Sequence, residues 1–244
     1  MGFAIVAGGN PNMAVPVTGI AAGTLAVGST VKLMESGAAV EYLVVNQGIP
    51  SNSSLYDASC DGTWLLRKDI YSNRQWNSSN VNTYESSAIN TWLNGDFFNS
   101  LGSVEQSAIK QVKIPYRKGG GSGGTDQSGA NGLSTKIFLL SGCEVGWSSS
   151  NDQYFPQDGA KLSYFETGDG SSALGKRIAY LNGSAVSWWL RSPSKSANRF
   201  VWLVYSNGSY YSYDASALYG IRPALILPSN TYFDAETMLL RGVA

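Results

Sequence analysis

The sequence predicts an α+β domain built from short strands, one or two helices and long loops. Three observations support this class. Short β-rich runs such as EYLVV (41–45), KIFLL (136–140) and VWLVY (201–205) are spread along the chain. One stretch, 85–101, has the apolar spacing of an amphipathic helix. Runs rich in glycine, serine and asparagine separate these segments, as connecting loops do.

Composition narrows the function classes. The chain has 244 residues, enough to bury a core without disulfide bridges. Its 17 basic residues balance 17 acidic ones, so no nucleic-acid partner is predicted. Two cysteines, Cys60 and Cys143, are too few for a disulfide scaffold. Two unpaired buried thiols are favoured over a single bridge.

The first 31 residues contain no charged side chain. A secretory signal peptide needs a basic start, so none is predicted. Glycines and prolines interrupt the apolar run, so membrane insertion is not predicted either. We expect residues 1–30 to form an uncharged arm that docks on another subunit, giving a homo-oligomer such as a trimer, or on a larger assembly; a poorly ordered tail is the alternative. Residues 31–230 are the predicted domain, and 231–244 a C-terminal tail.

The first elements after the arm are predicted to be strands. Residues 31–34 and 39–45 form a hairpin around a turn at 35–37. A short strand at 64–66 follows it.

The clearest helix lies within 85–101, followed by a shorter one at 104–109 and a strand at 112–116. Asn94 and Gly95 weaken the middle of the first helix and leave room for a break there. Its apolar positions are Ile89, Trp92, Leu93, Phe97 and Leu101.

Residues 117–132, RKGGGSGGTDQSGANG, are predicted to be a flexible loop. Gly119, Gly121 and Gly124 match the spacing of a dinucleotide-binding loop. Such a site needs a helix to begin directly after the glycines, because its N-terminus faces the pyrophosphate. More glycine, serine and asparagine follow instead, so phosphate binding is disfavoured.

Candidate catalytic chemistry is limited by what the sequence lacks. It has no histidine, which excludes Ser-His-Asp and Cys-His activation and removes the commonest metal ligand. Two distant cysteines cannot form a zinc site. Oxygen-rich runs at 151–159 and 166–170 could hold calcium, but acidic residues beside glycine usually form turns. We predict no catalytic residue, no cofactor and no metal; paired carboxylates for glycoside hydrolysis remain open.

The C-terminal part carries a family resemblance. The runs WWLRSP (188–193), VWLV (201–204) and GIRPAL (220–225) resemble, in this order, a domain common in bacterial prophages and known as a domain of unknown function. Upstream, KIFLLS (136–141) with Glu144 and Val145, and AIN (88–90) leading to WLN (92–94), are similar to it as well. The resemblance covers about residues 30–228.

The same pattern resembles the C-type-lectin fold in its formylglycine-generating-enzyme form, which also carries the variable proteins of diversity-generating retroelements. The resemblance implies a display surface at 194–219, where adenine-directed mutagenesis leaves Tyr, Ser, Asn, Asp and Gly. The sequence departs from that enzyme, because the enzyme's reactive cysteine pair is missing from this segment. It also lacks the calcium and sugar motifs of C-type lectins.

The predicted site has two sets of residues. Tyrosine offers a large amphipathic contact area at low entropic cost, and serine and asparagine offer adaptable hydrogen bonding. The predicted ligand-binding residues are Ser194, Ser196, Asn198, Phe200, Tyr205, Asn207, Ser209, Tyr210, Tyr211, Tyr213, Asp214, Ser216 and Leu218. The predicted framework residues are Trp188, Trp189, Arg191, Trp202, Gly220 and Arg222. Arg222 is expected to contact a carboxylate or backbone carbonyls.

The resulting hypothesis is a non-enzymatic phage tail or virion protein that binds a bacterial cell-surface protein or glycan. It would be located on the virion or on the bacterial cell surface, and its arm at 1–30 would dock on other virion proteins. Two alternatives stay open: a structural virion component without diversification, and an enzyme of the formylglycine-generating-enzyme-like fold.

Overall fold

A computed structural model of the chain describes residues 19–51 and 53–243. The strands of this part are mostly short, and most pair antiparallel. In chain order they are β1 (Gly19–Ala21), β2 (Thr30–Glu35), β3 (Ala38–Gln47), β4 (Thr63–Arg67), β5 (Asn73–Gln75), β6 (Val112–Ile114), β7 (Tyr116–Lys118), β8 (Thr125–Gln127), β9 (Leu133–Thr135), β10 (Tyr180–Leu181), β11 (Ser184–Ala185), β12 (Trp188–Pro193), β13 (Phe200–Val204), β14 (Tyr210–Asp214), β15 (Leu218–Gly220), β16 (Ala224–Leu227), β17 (Thr231–Asp234) and β18 (Leu240–Val243).

Helical segments are short and few. The α-helices of the described residues are α1 (Ala88–Trp92), α2 (Phe98–Ser100), α3 (Ser103–Ala108) and α4 (Ser171–Arg177), with a π-helical turn at Leu93–Phe97 between α1 and α2. Single 3₁₀ turns lie at Ala22–Thr24, Ser53–Leu55, Ala58–Cys60, Tyr84–Ser86 and Gly129–Asn131.

The predicted fold class, an α+β domain of C-type-lectin-like form, is wrong. The structure is sheet-rich, with about 35% strand against 18% helix. The extra strands come from polar runs that the sequence assigned to loops, such as β5 (NRQ) and β8 (TDQ). A run of three polar residues shows no apolar alternation that could predict a strand. Such a run becomes a strand only because a neighbouring strand pairs with it.

The predicted first helix is interrupted at its middle. Asn94, in the π-helical turn, donates to the carbonyl of Ile137 at 2.9 Å. Its side-chain oxygen accepts from the backbone N–H groups of Lys136 and Ile137, at 3.1 Å each. These bonds tie the turn to the neighbouring strand-like segment, and α1 ends after a single turn and a half.

The first large sheet has four strands in the order β16-β4-β3-β2. Its β2–β3 hairpin is the one expected from sequence. Ser36 and Gly37 form the two-residue turn with positive φ angles of 48° and 82°, the backbone that matches the twist of a hairpin.

The second large sheet has five strands in the order β14-β13-β12-β15-β5. Strand β12 is central and fully buried. Because side chains alternate along a strand, Trp188 packs in one apolar cluster with Trp202, while Trp189 packs in the other with Leu203. The five-stranded sheet therefore separates two cores.

A buried ion pair fixes β12 to its surroundings. Arg191 donates to both carboxylate oxygens of Glu144, at 2.6 Å each. It also donates to the carbonyls of Pro115, Leu139 and Asp158, at 2.7–2.9 Å. Both charged side chains are wholly inaccessible to solvent. Such a pair is stable only when every hydrogen-bonding atom is matched, as it is here.

The predicted boundaries at residues 30 and 231 do not separate structural units. β1 pairs with β17, and β17 with β18, in one three-stranded sheet. The expected C-terminal tail is thus part of the fold, and so is the described end of the expected arm. Residues 1–18 of that arm lie outside the described residues, and its docking role stays a prediction.

The two cysteines are free and buried, which confirms the expectation of unpaired thiols. Burial raises the pKa of Cys60 to about 12 and also raises the pKa of Cys143. Within 19–51 and 53–243, no helix combines the length and apolar character needed to cross a lipid bilayer.

Asp158 should make the stability of the protein depend on pH. Its carboxyl accepts from Ser192 Oγ at 2.6 Å through one oxygen, while the other is buried without a hydrogen bond. Burial raises its pKa to about 7. An unfolded aspartate titrates near pH 4, so the folded state binds one more proton between about pH 4 and 7. The free energy of unfolding should therefore fall as pH rises through this window and level off above it.

Urea unfolding at pH 5 and pH 8 measures the effect, which should reach about 3 kcal/mol between these two pH values. The chain has no histidine to titrate in the same window. Asp158→Asn should remove most of the difference, whereas Asp96→Asn, at an exposed position, should leave it unchanged. An unaltered pH dependence in Asp158→Asn would show that this carboxyl is ionised in the folded protein.

Candidate ligand-binding site

The candidate site is built on the β13–β14 hairpin at the edge of the five-stranded sheet. The hairpin closes where Tyr205 N–H donates to the carbonyl of Ser209 at 2.6 Å. Asn207 Oδ1 accepts from the N–H and hydroxyl of Ser209, at 3.0 and 2.7 Å. Gly208 has a φ of 87°, and a side chain there would collide with the carbonyl of Leu174. The Asn-Gly-Ser chemistry thus sets the position of the turn.

Alternation along β14 sends neighbouring tyrosines to opposite sides. Tyr211 and Tyr213 are 55% and 43% exposed. Tyr210 points the other way, with its ring centroid 5.5 Å from Trp147 and 5.8 Å from Trp202. Its hydroxyl donates to the carbonyl of Asn151 at 3.0 Å. Tyr210 therefore anchors the strand, and its neighbours face solvent.

Four tyrosines form a continuous row, which we call the tyrosine row: Tyr205, Tyr211, Tyr213 and Tyr219. Successive ring centroids are 6.3, 6.3 and 5.6 Å apart. Tyr219 in turn packs edge-on against the buried Trp189 at 5.0 Å. Partial burial and the neighbouring phenols raise the pKa of Tyr219. The row is thus supported from below by the core and open above.

A cleft lies at the end of the row, beyond Tyr219. It has a volume of about 410 Å³ and is lined by residues of β5 and α1 together with Leu218. Leu218 is 65% exposed, an unusual position for a leucine. The guanidinium of Arg74 lies over the Trp92 ring at 4.2 Å. The surface therefore combines aromatic, aliphatic and cationic groups.

The 194–200 loop beside the hairpin is held through its main chain. Buried Asn82 donates to the carbonyls of Ala197 and Phe200, at 2.9 and 2.7 Å, and more weakly to Ser194 at 3.4 Å. The N–H of Asn82 donates to the carbonyl of Asn198 at 2.9 Å. Carbonyl partners are independent of side-chain identity, so these bonds of Asn82 do not depend on which side chains the loop carries.

The segment 214–218 is held in the same way. Asn80 Oδ1 accepts from the N–H and hydroxyl of Ser216, at 3.2 and 2.7 Å. Gln75 donates to the carbonyl of Ser216 at 2.7 Å, and Asn77 N–H to the carbonyl of Ala215 at 2.9 Å. The segments before and after the β13–β14 hairpin are thus both held by residues of one stretch, 75–82.

The match to a family model spans the whole of this site. Residues 61–229 match the model of a domain of unknown function, DUF6273. The chain belongs to the DUF6273 family. The matched region contains every strand of the five-stranded sheet, from β5 to β15. None of the curated proteins and none of the solved structures matches the chain.

In this DUF6273 protein the predicted ligand-binding residues divide into three groups. One of them, Ser194, is buried. Partly buried are Phe200, Ser209, Tyr210, Asp214 and Ser216. Exposed are Ser196, Asn198, Tyr205, Asn207, Tyr211, Tyr213 and Leu218. The exposed set lies on the hairpin, the neighbouring loop and the row; its ligand-binding role stays a prediction.

All six predicted framework residues are buried: Trp188, Trp189, Arg191, Trp202, Gly220 and Arg222. Arg222 donates to the carbonyls of Arg67 and Lys68, at 3.1 and 2.9 Å, and lies over the Trp188 ring at 4.7 Å. The expectation of backbone carbonyl partners is confirmed. Burial lowers the pKa of Arg222 to about 10.

Sequence reasoning missed the supporting side chains at 74–82. Asn80 and Asn82 stand in a serine- and asparagine-rich run that is typical of any loop. Their partners lie more than 110 residues away along the chain. The stretch 117–132, predicted to be a loop, contains the β7–β8 pair. Its Gly121 packs against Asn198, where any side chain would collide with the Asn198 amide. Among the described residues, no group of acidic or cysteine side chains is arranged to hold a metal ion.

Adjacent tyrosines of β14 should differ sharply in their effect on stability. Tyr210→Ser removes ring contacts and a hydrogen bond from the core side and should cost about 2 kcal/mol, below the range for a fully buried aromatic residue. Tyr211→Ser changes an exposed position and should cost about 0.5 kcal/mol or less. Thermal melts of the two variants provide the comparison. Equal losses would mean that both tyrosines are part of the core.

Proposed function

We propose that this DUF6273 protein is a ligand-binding display protein whose tyrosine row contacts a partner on a bacterial cell surface. One observation carries the proposal. The main chain of 194–219 is held by side chains outside that segment, while Tyr205, Tyr211 and Tyr213 of the row are exposed. A scaffold of this kind supports contact residues without depending on which residues they are.

The chemistry of the row suits recognition. Tyrosine rings bury large areas on binding and have few rotatable bonds to order. Serines and asparagines of the hairpin turn and the 194–200 loop surround the row and supply donors and acceptors. Aromatic groups of this type carry most of the binding energy in protein interfaces.

We extend the proposal to the setting that the family resemblance implied: a phage tail or virion protein, used for receptor binding and diversified by a retroelement. The separation of framework from contact side chains supports diversification. Changes at Tyr205, Tyr211, Tyr213 or Leu218 would leave the carbonyl contacts of Asn82, Gln75 and Asn77 in place. The uncharged residues 1–18 would connect the domain to other subunits of the particle.

A pair of matched libraries tests the display role. In one, Tyr205, Tyr211, Tyr213 and Leu218 are randomised; in the other, four buried positions of the same sheet region, Trp188, Trp202, Leu203 and Ile221, are randomised. Both are displayed on yeast and challenged with protease, which cleaves unfolded chains. Most members of the first library should stay resistant and most of the second should be lost, because exposed substitutions cost about 0.5 kcal/mol and core truncations about 3–5 kcal/mol.

Comparable losses in the two libraries would contradict the display role. In a second step, the protease-resistant members of the first library are selected on an immobilised test protein. This selection should enrich binders. Their binding should vanish when all four positions are replaced by serine.

The genomic neighbourhood tests diversification separately. The gene should lie near a reverse transcriptase gene and near a second copy of the 188–225 coding sequence that differs only at adenines. Tail-assembly genes nearby would place the protein on a virion. Sequencing of the locus decides both points. A locus with neither the reverse transcriptase nor the repeat would contradict diversification and leave the binding proposal standing.

A further inference from the structure

One arginine differs from all the others in the protein. The chain has eight arginines, and all lie in the described residues. Five of them form ion pairs with carboxylates: Arg67, Arg117, Arg191, Arg199 and Arg241. Arg177 and Arg222 donate to backbone carbonyls. Arg74 alone has a guanidinium with neither kind of partner among the residues that the structure describes; its recorded contact is the Trp92 ring.

The position of Arg74 is nevertheless well defined. It lies in the middle of β5, directly opposite Tyr219 of β15. Its carbonyl accepts from the buried Trp189 indole at 3.0 Å. Its guanidinium lies 4.2 Å from the Trp92 ring, which restricts its motion on one side. Cross-strand neighbours share one face of a sheet, so Arg74 extends the tyrosine row by one position.

The free atoms of this guanidinium define a ligand chemistry. A guanidinium placed on an aromatic face keeps its N–H groups available at its edge. Those groups are arranged to bind a carboxylate through two parallel hydrogen bonds. The cleft around Arg74 is also lined by Ser72 and Ser78, whose hydroxyls can donate to the same anion, and none of the described residues that line it is acidic.

We infer that Arg74 binds a carboxylate of a partner protein, next to apolar side chains of that partner that contact Leu218 and Tyr219. The inference rests on the proposed binding function and names the class of ligand. The partner is an acidic surface segment of a protein, with Asp or Glu beside an apolar residue.

Two features favour a protein over a glycan. Leu218 is 65% exposed at the entrance of the cleft, and an aliphatic side chain contacts apolar side chains better than hydroxylated sugar rings. The rings of the row are also inclined to one another by 53°, 37° and 78°, so they present edges as well as faces. A saccharide chain stacks on aromatic faces, and this row offers no common plane.

Selection from a random peptide library tests the inference on the full chain. The immobilised protein should enrich peptides that contain Asp or Glu next to an apolar residue. Synthetic copies of these peptides should bind Arg74→Gln at least about tenfold more weakly, the equivalent of one charge-assisted hydrogen bond. Arg74→Lys should lie between the two, because lysine keeps the charge and loses the paired hydrogen bonds. Added salt should weaken binding to the wild type and affect Arg74→Gln little.

The control is Arg241→Gln, which removes an exposed arginine from the separate three-stranded sheet and should leave binding unchanged. Equal melting temperatures of the variants would exclude unfolding as the cause. Peptides without acidic residues, binding that Arg74→Gln leaves intact, or a selection with no enrichment would each overturn the inference. So would Arg74-dependent binding to an array of acidic glycans in place of peptides.

Failure of the inference can be separated from failure of the proposed function. Peptides that lose binding in Tyr211→Ser and Tyr213→Ser but not in Arg74→Gln would keep the tyrosine row as a binding surface without the carboxylate contact. Peptides insensitive to all three substitutions would remove both.

Discussion

The Arg191–Glu144 pair is the interaction on which the rest of the structure depends. It stands on the central strand of the five-stranded sheet, between the two cores, and is wholly shielded from water. A charge buried without a partner costs several kcal/mol, so the groups around the pair have little freedom of position. Glu144 is in turn bonded by the N–H of Ser141 and the hydroxyl of Tyr56. Arg191 donates hydrogen bonds to carbonyls of three separate segments.

One of those segments connects the pair to the candidate site. Asp158, whose carbonyl accepts from Arg191, belongs to the loop that also carries Phe155. The Phe155 ring stacks on Trp202 at 4.1 Å and contacts Tyr210 at 5.5 Å. The β14 strand is thus seated on aromatic residues whose loop is held by the buried arginine. These contacts fix the position of β14 and therefore of its exposed tyrosines.

The site also shows how a protein with few charges can hold long loops. Only 14% of its residues are charged. Amide side chains replace ion pairs: Asn82, Asn80 and Gln75 bond to the main chain of 194–216, and Asn94 bonds to the main chain of 136–137. An amide donates and accepts at once, so one buried residue can satisfy several backbone groups. Contact residues can then differ in chemistry while the backbone stays in place.

By itself the sequence determined the local features: the β2–β3 hairpin from its alternation and turn residues, the strand within 201–205, the framework tryptophans and the unpaired cysteines. These features depend on the residues within one short window, and the apolar periodicity of that window predicts them.

The tertiary structure alone decided the rest. Three-residue polar strands exist only because a partner strand pairs with them, which is why the class was predicted wrongly. Whether Tyr210 or Tyr211 faces solvent depends on the register of β14 against β13, and that is a contact between distant segments. The role of Asn82 likewise depends on residues more than 110 positions away, since a side chain's hydrogen-bond partners are set by the folded backbone and not by its neighbours in the chain.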